Sequence, residues 1–441
     1  MTQIELTPTA SLIGKWKPYS AYKDSGVEWL GKIPAHWNAV CLKYLARLNY
    51  GDSLPADVRQ VGEVPVFGSN GPVGFHSQPN TLRPVLIIGR KGSFGKINYS
   101  DQPCFAIDTT YYIDARNSRS DLRWLFYALL LLRLDAISED SAIPGLSREL
   151  AHYQRLPSIS LPEQRAIAAF LDRETVRINA LIEKKERLIE LLQEKRAAII
   201  SHAVTKGLDP TVPMKDSGVE WLGEIPAHWE VKRVRDITEL LQTGPFGSQL
   251  HSSDYSPYGI PVINPSHLKD GHIYPDWDCA VNEETYSRLV RHELRKGDIV
   301  FARRGQMGRC ALVTEKEAGW LCGTGSLLMR PRITLSVPSF LSKVLSTNGV
   351  RDWLLLESVG STMDNLNTSI LSRIPLPIPI LSEQQAIVSY LDSQTAKIDA
   401  LISRIQEGIE KLKEYSTALI SAAVTGKIDV RGEISMQGSE M

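Results

Sequence analysis

The chain has 441 residues, enough for two or three domains, and its 43% hydrophobic and 23% charged side chains mark a globular protein rather than a disordered or collagen-like one. Fifty basic and fifty acidic residues give a formal net charge of zero, which excludes a protein that coats nucleic acid by bulk charge but leaves room for local basic loops. No run of about 18 apolar residues occurs, and the N-terminus lacks a basic region followed by an apolar one, so no membrane span or signal peptide is expected and the cytoplasm is the default location.

In chain order, the entry segment 1–37 ends in KDSGVEWLGKIPAHW (Lys23–Trp37). The same fifteen residues return at Lys215–Trp229 with only Lys32 exchanged for Glu224. So long a repeat means that the chain is built in two halves. A variable block, 38–160, follows the first copy. Short apolar runs at Val64–Phe67, Val85–Ile88 and Cys104–Ile107, bounded by Gly, Pro and Asn, read as strands, and a helix is predicted near Asp121–Leu134. A helix over 161–205, then a linker with the second entry motif over 206–229, lead to a second block, 230–380. Its strand-like runs are Ile260–Ile263, Asp298–Phe301 and Ala311–Val313. A second helix over 381–425 and a tail over 426–441 complete the chain. Trp29, Trp37, Trp221 and Trp229, with Leu30, Ile33, Leu222 and Ile225, are duplicated and so read as scaffold, and Lys32 and Glu224 as solvated positions.

The two helical segments, Leu161–Pro210 and Leu381–Val430, align without a gap and are identical at 23 of 50 positions. Apolar residues fall at Ile178, Ile182, Ile189, Leu192 and Ile199 in the first, and at Ile398, Ile402, Ile405, Ile409, Leu412 and Leu419 in the second. Steps of four and three define a coiled-coil seam. Lys185 and Arg196 interrupt the first seam. Pro162 suits a first helical turn, Glu163 and Glu383 suit the positive end of a helix dipole, and Gly207 and Gly426 fall where helices end. Each helix, about 40 residues and roughly 60 Å long, cannot bury its seam alone, and the other copy is the nearest partner. The predicted fold class is α+β: two mixed α/β blocks separated by two long helices that form an antiparallel intramolecular coiled coil about a pseudo-two-fold axis.

The blocks share little sequence. One faint match sets Gly89–Lys96 (GRKGSFGK) against Ala302–Arg309 (ARRGQMGR), each just after a strand-like run, and another sets Ser141–Leu146 against Ser361–Leu366. GRKGSFGK is no phosphate loop: its glycines are one residue too far apart and Ile97 stands where Ser or Thr should follow the lysine. It reads as a glycine-flanked turn carrying basic residues that can grip phosphate or a guanine edge. Candidate DNA contacts are therefore Ser69, Asn70, Arg90, Lys91, Ser93 and Lys96 in the first block, and Asn264, Ser266, His267, Lys269, Arg303, Arg304, Gln306 and Arg309 in the second. Asn264-Pro265-Ser266-His267 lacks the second proline and the aromatic of an amino-methyltransferase motif, and no glycine-rich cofactor loop accompanies it. Five scattered cysteines form no Cys-x-x-Cys, so no catalytic constellation and no metal site is expected.

Entry motif, variable block and LPEQRAIAAFLD-type helix, repeated in order from about Tyr19 to Val430, resemble the specificity subunit of type I restriction–modification enzymes. The resemblance implies that each block is a target recognition domain reading one half of a split double-stranded DNA site, and that the helix pair sets the spacing. It implies a non-catalytic chain that docks two modification (methyltransferase) subunits and joins restriction (endonuclease/translocase) subunits. S-adenosylmethionine, ATP and magnesium would then belong to the partners, with no cofactor in this chain. A methylation-only system without the restriction subunit is the alternative. A single-chain methyltransferase would need the motifs missing here, and a coiled-coil adaptor would leave the basic turns unexplained.

Overall fold

The computed structural model describes residues 16–137, 145–305, 308–358 and 366–432. It divides into two units, one holding residues up to Glu186 together with those from Gln406 onward, the other Arg187–Ile405. The long helices, Leu161–Lys206 and Leu381–Val424, are each shared between the units. Every unit therefore holds one entry motif, one variable block and part of both helices. No helix among the described residues is long and apolar enough to cross a membrane.

In the first unit the strands are β1 (Tyr22–Asp24), β2 (Lys32–Pro34), β3 (Asn38–Cys41), β4 (Asn49–Tyr50), β5 (Val64–Gly68), β6 (Gly71–His76), β7 (Val85–Gly89), β8 (Ile97–Ser100), β9 (Phe105–Ala106), β10 (Thr110–Asp114) and β11 (Arg155–Ser158). The helices are α1 (Leu42–Leu45), α2 (Leu122–Leu131) and α3 (Arg148–Tyr153). A four-stranded antiparallel sheet has the order β4–β10–β7–β8, and a three-stranded one the order β6–β5–β9 with β5 parallel to β9. The run VLIIG of β7 is buried at every residue, as expected of a central strand covered on both faces. Asp121 starts α2 by accepting hydrogen bonds from the Arg123 and Trp124 N–H groups. Strand β3 pairs with β11, which leads into the first long helix.

The second unit repeats this plan despite its different sequence. Its strands are β12 (Met214–Asp216), β13 (Glu224–Pro226), β14 (Glu230–Arg233), β15 (Thr238–Thr243), β16 (Tyr255–Ile263), β17 (Leu268–Lys269), β18 (His272–Ile273), β19 (Ala280–Val281), β20 (Ile299–Ala302), β21 (Cys310–Leu312), β22 (Leu321–Cys322), β23 (Ser326–Pro331) and β24 (Pro375–Ile378). The four-stranded sheet runs β15–β23–β20–β21 and the three-stranded one β19–β16–β22, with β16 parallel to β22. A short hairpin, β17–β18, is added. Strand β14 pairs with β24 just before the second long helix, as β3 pairs with β11.

The repeated residues are the joints of each unit. Trp37 and Trp229 are fully buried, whereas Trp29 is partly exposed. Trp37 lies against the turn at Gly426 that ends the second helix, and Trp229 against Gly207 at the end of the first. His36 Nε2 stands 3.3 Å from both carboxylate oxygens of Glu163, and His228 Nε2 lies 2.9 Å from Glu383 Oε2. The neighbouring glutamines stitch block to helix: the Asp121 N–H donates to Gln164 Oε1 and the Val337 N–H to Gln384 Oε1, both at 2.7 Å. Lys32 and Glu224 have exposed side chains, but their backbone carbonyls accept from Lys427 and Lys206.

The helices pack antiparallel, since contacts climb one as they descend the other. Ile178 shares a core with Leu419 in the first unit, where Lys185 Nζ also approaches Gly408. Arg196 Nε donates to Asp399 Oδ1 at 3.1 Å in the second. Buried positions on the second helix include Leu391, Thr395, Ile398, Ile405, Ile409 and Leu419, and half-buried Ile402 and Leu412 fill the same four-and-three spacing. Ile182, Ile189, Leu192 and Ile199 of the first helix are likewise half-buried.

Two glycines give opposite expectations. A Cβ at Gly408 would meet only the end of the flexible Lys185 side chain, Nζ at 3.3 Å and Cε at 3.8 Å, so Gly408→Ala should raise stability by up to about 1 kcal/mol through helix propensity. Gly426 has φ +71°, and a Cβ there would stand 2.4 Å from Pro34 Cδ and 2.8 Å from Trp37. Gly426→Ala should therefore cost at least about 1 kcal/mol. Thermal or denaturant unfolding of the two variants checks both signs, and a Gly408→Ala variant less stable than the parent would contradict the packing described.

Candidate nucleic-acid interface

The faint match between the blocks has a structural basis. Gly89–Lys96 joins β7 to β8 and Ala302–Arg309 joins β20 to β21, so the two basic turns occupy equivalent hairpins of the corresponding four-stranded sheets. Their surroundings agree as well. The Leu146 N–H donates to the Arg90 carbonyl and the Leu366 N–H to the Arg303 carbonyl, each at 2.9 Å. The rest of the Ser141–Leu146 and Ser361–Leu366 match, apart from Gly145, lies outside the described residues, as does Gln306.

In the first block the candidates come together. The turn Ser69–Asn70 follows β5 and lies beside the β7–β8 hairpin, where Lys96 Nζ donates to the Asn70 carbonyl (2.7 Å) and to Asn70 Oδ1 (2.8 Å). Lys96 is thus a strut between turn and hairpin. Lys91 and Ser93 are exposed, while Phe94 turns inward against the core. Arg90 donates to the Asp108 carbonyl at 3.1 Å, and its guanidinium lies 5.0 Å from the Tyr50 ring centre. Arg148 lies over the same ring at 4.8 Å, so two cations flank one half-exposed tyrosine. Tyr50 and Arg148 were invisible to sequence reasoning because β4 and α3, which carry them, lie about a hundred residues apart in the chain.

In the second block the candidates separate into two kinds. Arg304, Ser266 and Lys269 are exposed. Arg303 is half-buried, with Nε donating to the Leu366 carbonyl at 3.3 Å, and Arg309 is half-buried beside Gly305. The Asn264 turn and Arg303 flank the start of β23: Ser326 Oγ donates to the Ile263 carbonyl and the Arg303 N–H to the Gly325 carbonyl. His267 is buried, and its Nδ1 accepts from the Asn264 N–H at 3.3 Å. Burial pushes that imidazole below its usual pKa against the opposing pull of Asp276, so it is a neutral structural support of the turn.

One grouping escaped the sequence reading. Potential ligand atoms of His267, Asp276 and Cys279 lie within 4.8 Å of one another. These groups are already bonded: Cys279 Sγ donates to Asp276 Oδ2 at 3.6 Å, and the His267 ring accepts from the Asn264 N–H. Among the other thiols, burial pushes Cys104 up to about 11 and Cys310 and Cys322 to about 12, which keeps these three protonated and poor nucleophiles.

Two stretches of the chain, residues 34–191 and 226–411, match the family described as Type I restriction modification DNA specificity domain. The chain is 22% identical over 363 residues to the type I restriction enzyme EcoBI specificity subunit of Escherichia coli, covering 81% of this chain and 75% of that one. It is 24% identical over 426 residues to the EcoDI specificity subunit of Escherichia coli, covering 90% of each. It is 23% identical over 333 residues to the MjaVIII specificity subunit of Methanocaldococcus jannaschii, covering 73% of this chain and 74% of that one. A chain solved in work on complex assembly and conformational transition of the type I R-M system shares the fold, with a TM-score of 0.66 at 16% identity over 89% of this chain and 98% of that one. Both recognition blocks and most of both helices fall inside the family match, and the chain belongs to the DNA specificity subunits of type I restriction–modification systems.

Proposed function

We propose that each variable block reads one half of a bipartite DNA site through its basic hairpin, Gly89–Lys96 or Ala302–Arg309, and the turn beside it, and that the helix pair fixes the gap between the half-sites. The observation that carries this reading is the placement of two divergent basic, glycine-flanked turns on the same hairpin of a duplicated fold. Residues held constant between the halves are joints; residues that differ are free to specify bases. Arg90, Lys91 and Ser93 would make base or phosphate contacts in one half-site, and Arg303, Arg304, Ser266, Lys269 and Arg309 in the other. Asn264, His267, Lys96, Asn70 and Ser69 would hold those loops in place.

The chain supplies recognition, and the chemistry belongs to partners. Modification subunits would bring S-adenosylmethionine and methylate adenine, and restriction subunits would bring ATP and magnesium. A system that only methylates fits the same chain. Exposed apolar side chains in each unit support docking: Val176 and Leu181 in the first, and Leu188, Leu191 and Leu401 in the second, are 44–66% exposed on the long helices. Leucines left in water on a helix pair favour a protein partner.

Two experiments test this reading. Exchanging block 38–160 for that of a relative, then sequencing methylated bases in the host, should change one half of the modified motif and leave the other half and the gap intact; an unchanged motif would refute it. Leu188→Asp with Leu191→Asp should weaken capture of the modification subunit roughly tenfold or more in a pull-down titration, while the far-ultraviolet spectrum of the chain stays the same.

A further inference from the structure

Beyond the hairpin loops, the first block has a second candidate surface at the other end of its sheet. Turn residues 116–119 follow the Asp114 end of β10, whereas the Arg90 loop lies at its Thr110 end. A cavity of about 380 Å³ opens there, lined by Lys43, Tyr44, Leu45, Ala46, Arg47, Arg116, Asn117, Ser118 and Arg119. Four of the nine lining residues are cationic and none is acidic, so the pocket selects for an anion. Arg116 is already matched by buried Asp114, with two guanidinium nitrogens on its carboxylate. Lys43, Arg47 and Arg119 have no carboxylate partner among the described residues. The Lys43 ammonium sits 4.5 Å from the Tyr153 ring centre and 5.2 Å from that of Tyr44, both exposed tyrosines.

The cations continue from pocket to hairpin along the β4 edge. Helix α3 runs beside β4: His152 Nε2 accepts from the Leu48 N–H at 3.1 Å, and Arg148 lies over Tyr50 next to Arg90. His152 is held below its usual pKa by burial, then by the charges of Arg148, Arg47 and Lys43. Glu149, the acid on α3, does not line the pocket. From Thr110 to Asp114 the ridge extends about 14 Å, or about four base-pair steps.

The matched positions of the second block do not repeat this charge pattern among the described residues. The repeat that aligns Trp37 with Trp229 sets Arg235 at the place of Lys43 and Glu239 at that of Arg47. Arg332 is the counterpart of Arg119, because their N–H groups donate to the matching carbonyls of Ile237 and Leu45. Arg235 is paired with Asp236 at 3.7 Å. Two acids therefore offset two bases where the first block has three unmatched cations.

We infer that the pocket of Lys43, Arg47 and Arg119 is a clamp for the DNA sugar–phosphate backbone, present in the first block only, so that this chain grips its two half-sites unequally. The clamp holds DNA in register for the Arg90 loop without reading bases. It rests on the reading of this chain as a DNA-binding specificity subunit.

The test uses the full chain assembled with its modification subunits, binding a duplex with its methylated motif and a scrambled duplex over a salt series. Lys43→Ala with Arg47→Ala and Arg119→Ala should make the slope of log K against log salt shallower by about 2 to 3 for both duplexes, leaving their affinity ratio intact. Lys43→Gln and Arg47→Gln singly should each remove about 0.9 from the slope, which keeps the test available if the triple variant folds poorly. Ethylation of backbone phosphates should interfere asymmetrically, with the signal at the first block's half-site lost in the variant. An unchanged slope overturns the clamp, and so does a variant that loses its modification subunits while the DNA slope persists, because the pocket would then hold an acidic protein surface. A parent assembly that binds both duplexes equally sinks the specificity reading, while the slope on either duplex still decides the clamp.

Discussion

The seal between the AHW segment of the entry motif and the end of a long helix is the contact on which each unit depends. Trp37 is buried against the Gly426 turn and Trp229 against the Gly207 turn. A tryptophan buries some 150–250 Å², a large contribution to so slender a joint. The same segment carries the histidine that meets the buried or half-buried glutamate at the start of the other helix, Glu163 or Glu383. In the first unit this seal also gathers Tyr19 and Arg431: Tyr19 donates to Glu163 Oε1 at 2.9 Å, and Arg431 lies over the Tyr19 ring. The repeat is exact at these positions because both tryptophan and histidine are committed to fixed geometry.

From that joint outward, constraint gives way to freedom. Gln164 and Gln384 tie block to helix, and the strand pairs β3–β11 and β14–β24 carry the chain into and out of each block. The four-stranded sheets keep their order while their sequences diverge, because a buried strand asks only for apolar residues of suitable size. Lys91, Ser93 and Arg304 on the hairpins are solvated and subject to neither demand. A frame of this kind lets loop sequences change without disturbing stability, which suits a subunit whose partners must recognise it whatever DNA it reads. It also permits the blocks to differ electrostatically, as Arg47 does from Glu239. The net charge of zero conceals that local difference.

Much of this was legible in the sequence, for physical reasons. The four-and-three spacing of Ile398 to Leu419 reports a narrow buried stripe, and that stripe is what packs. Lys185 and Arg196, read as interruptions, do occupy seam positions, one beside the space left by Gly408 and the other paired to Asp399. The basic turns were visible because glycine and arginine recur at one spacing in both blocks. What sequence could not give was the partner of each side chain. Lys96 is a strut to Asn70, His267 is buried under its own turn, and Tyr50 gathers Arg90 and Arg148 from distant segments. The division of each helix between two units was equally hidden, since it depends on residues up to Glu186 and from Gln406 packing in one unit.

We propose one chain carrying two separate readers, with the gap between their half-sites set by the helix pair. Sequencing modified bases across the genome of the host tests it most directly. The account predicts a split motif, two short specified sequences around an unread gap of constant length, with adenines methylated on both strands. A continuous motif, or half-sites found at variable separation, would contradict it.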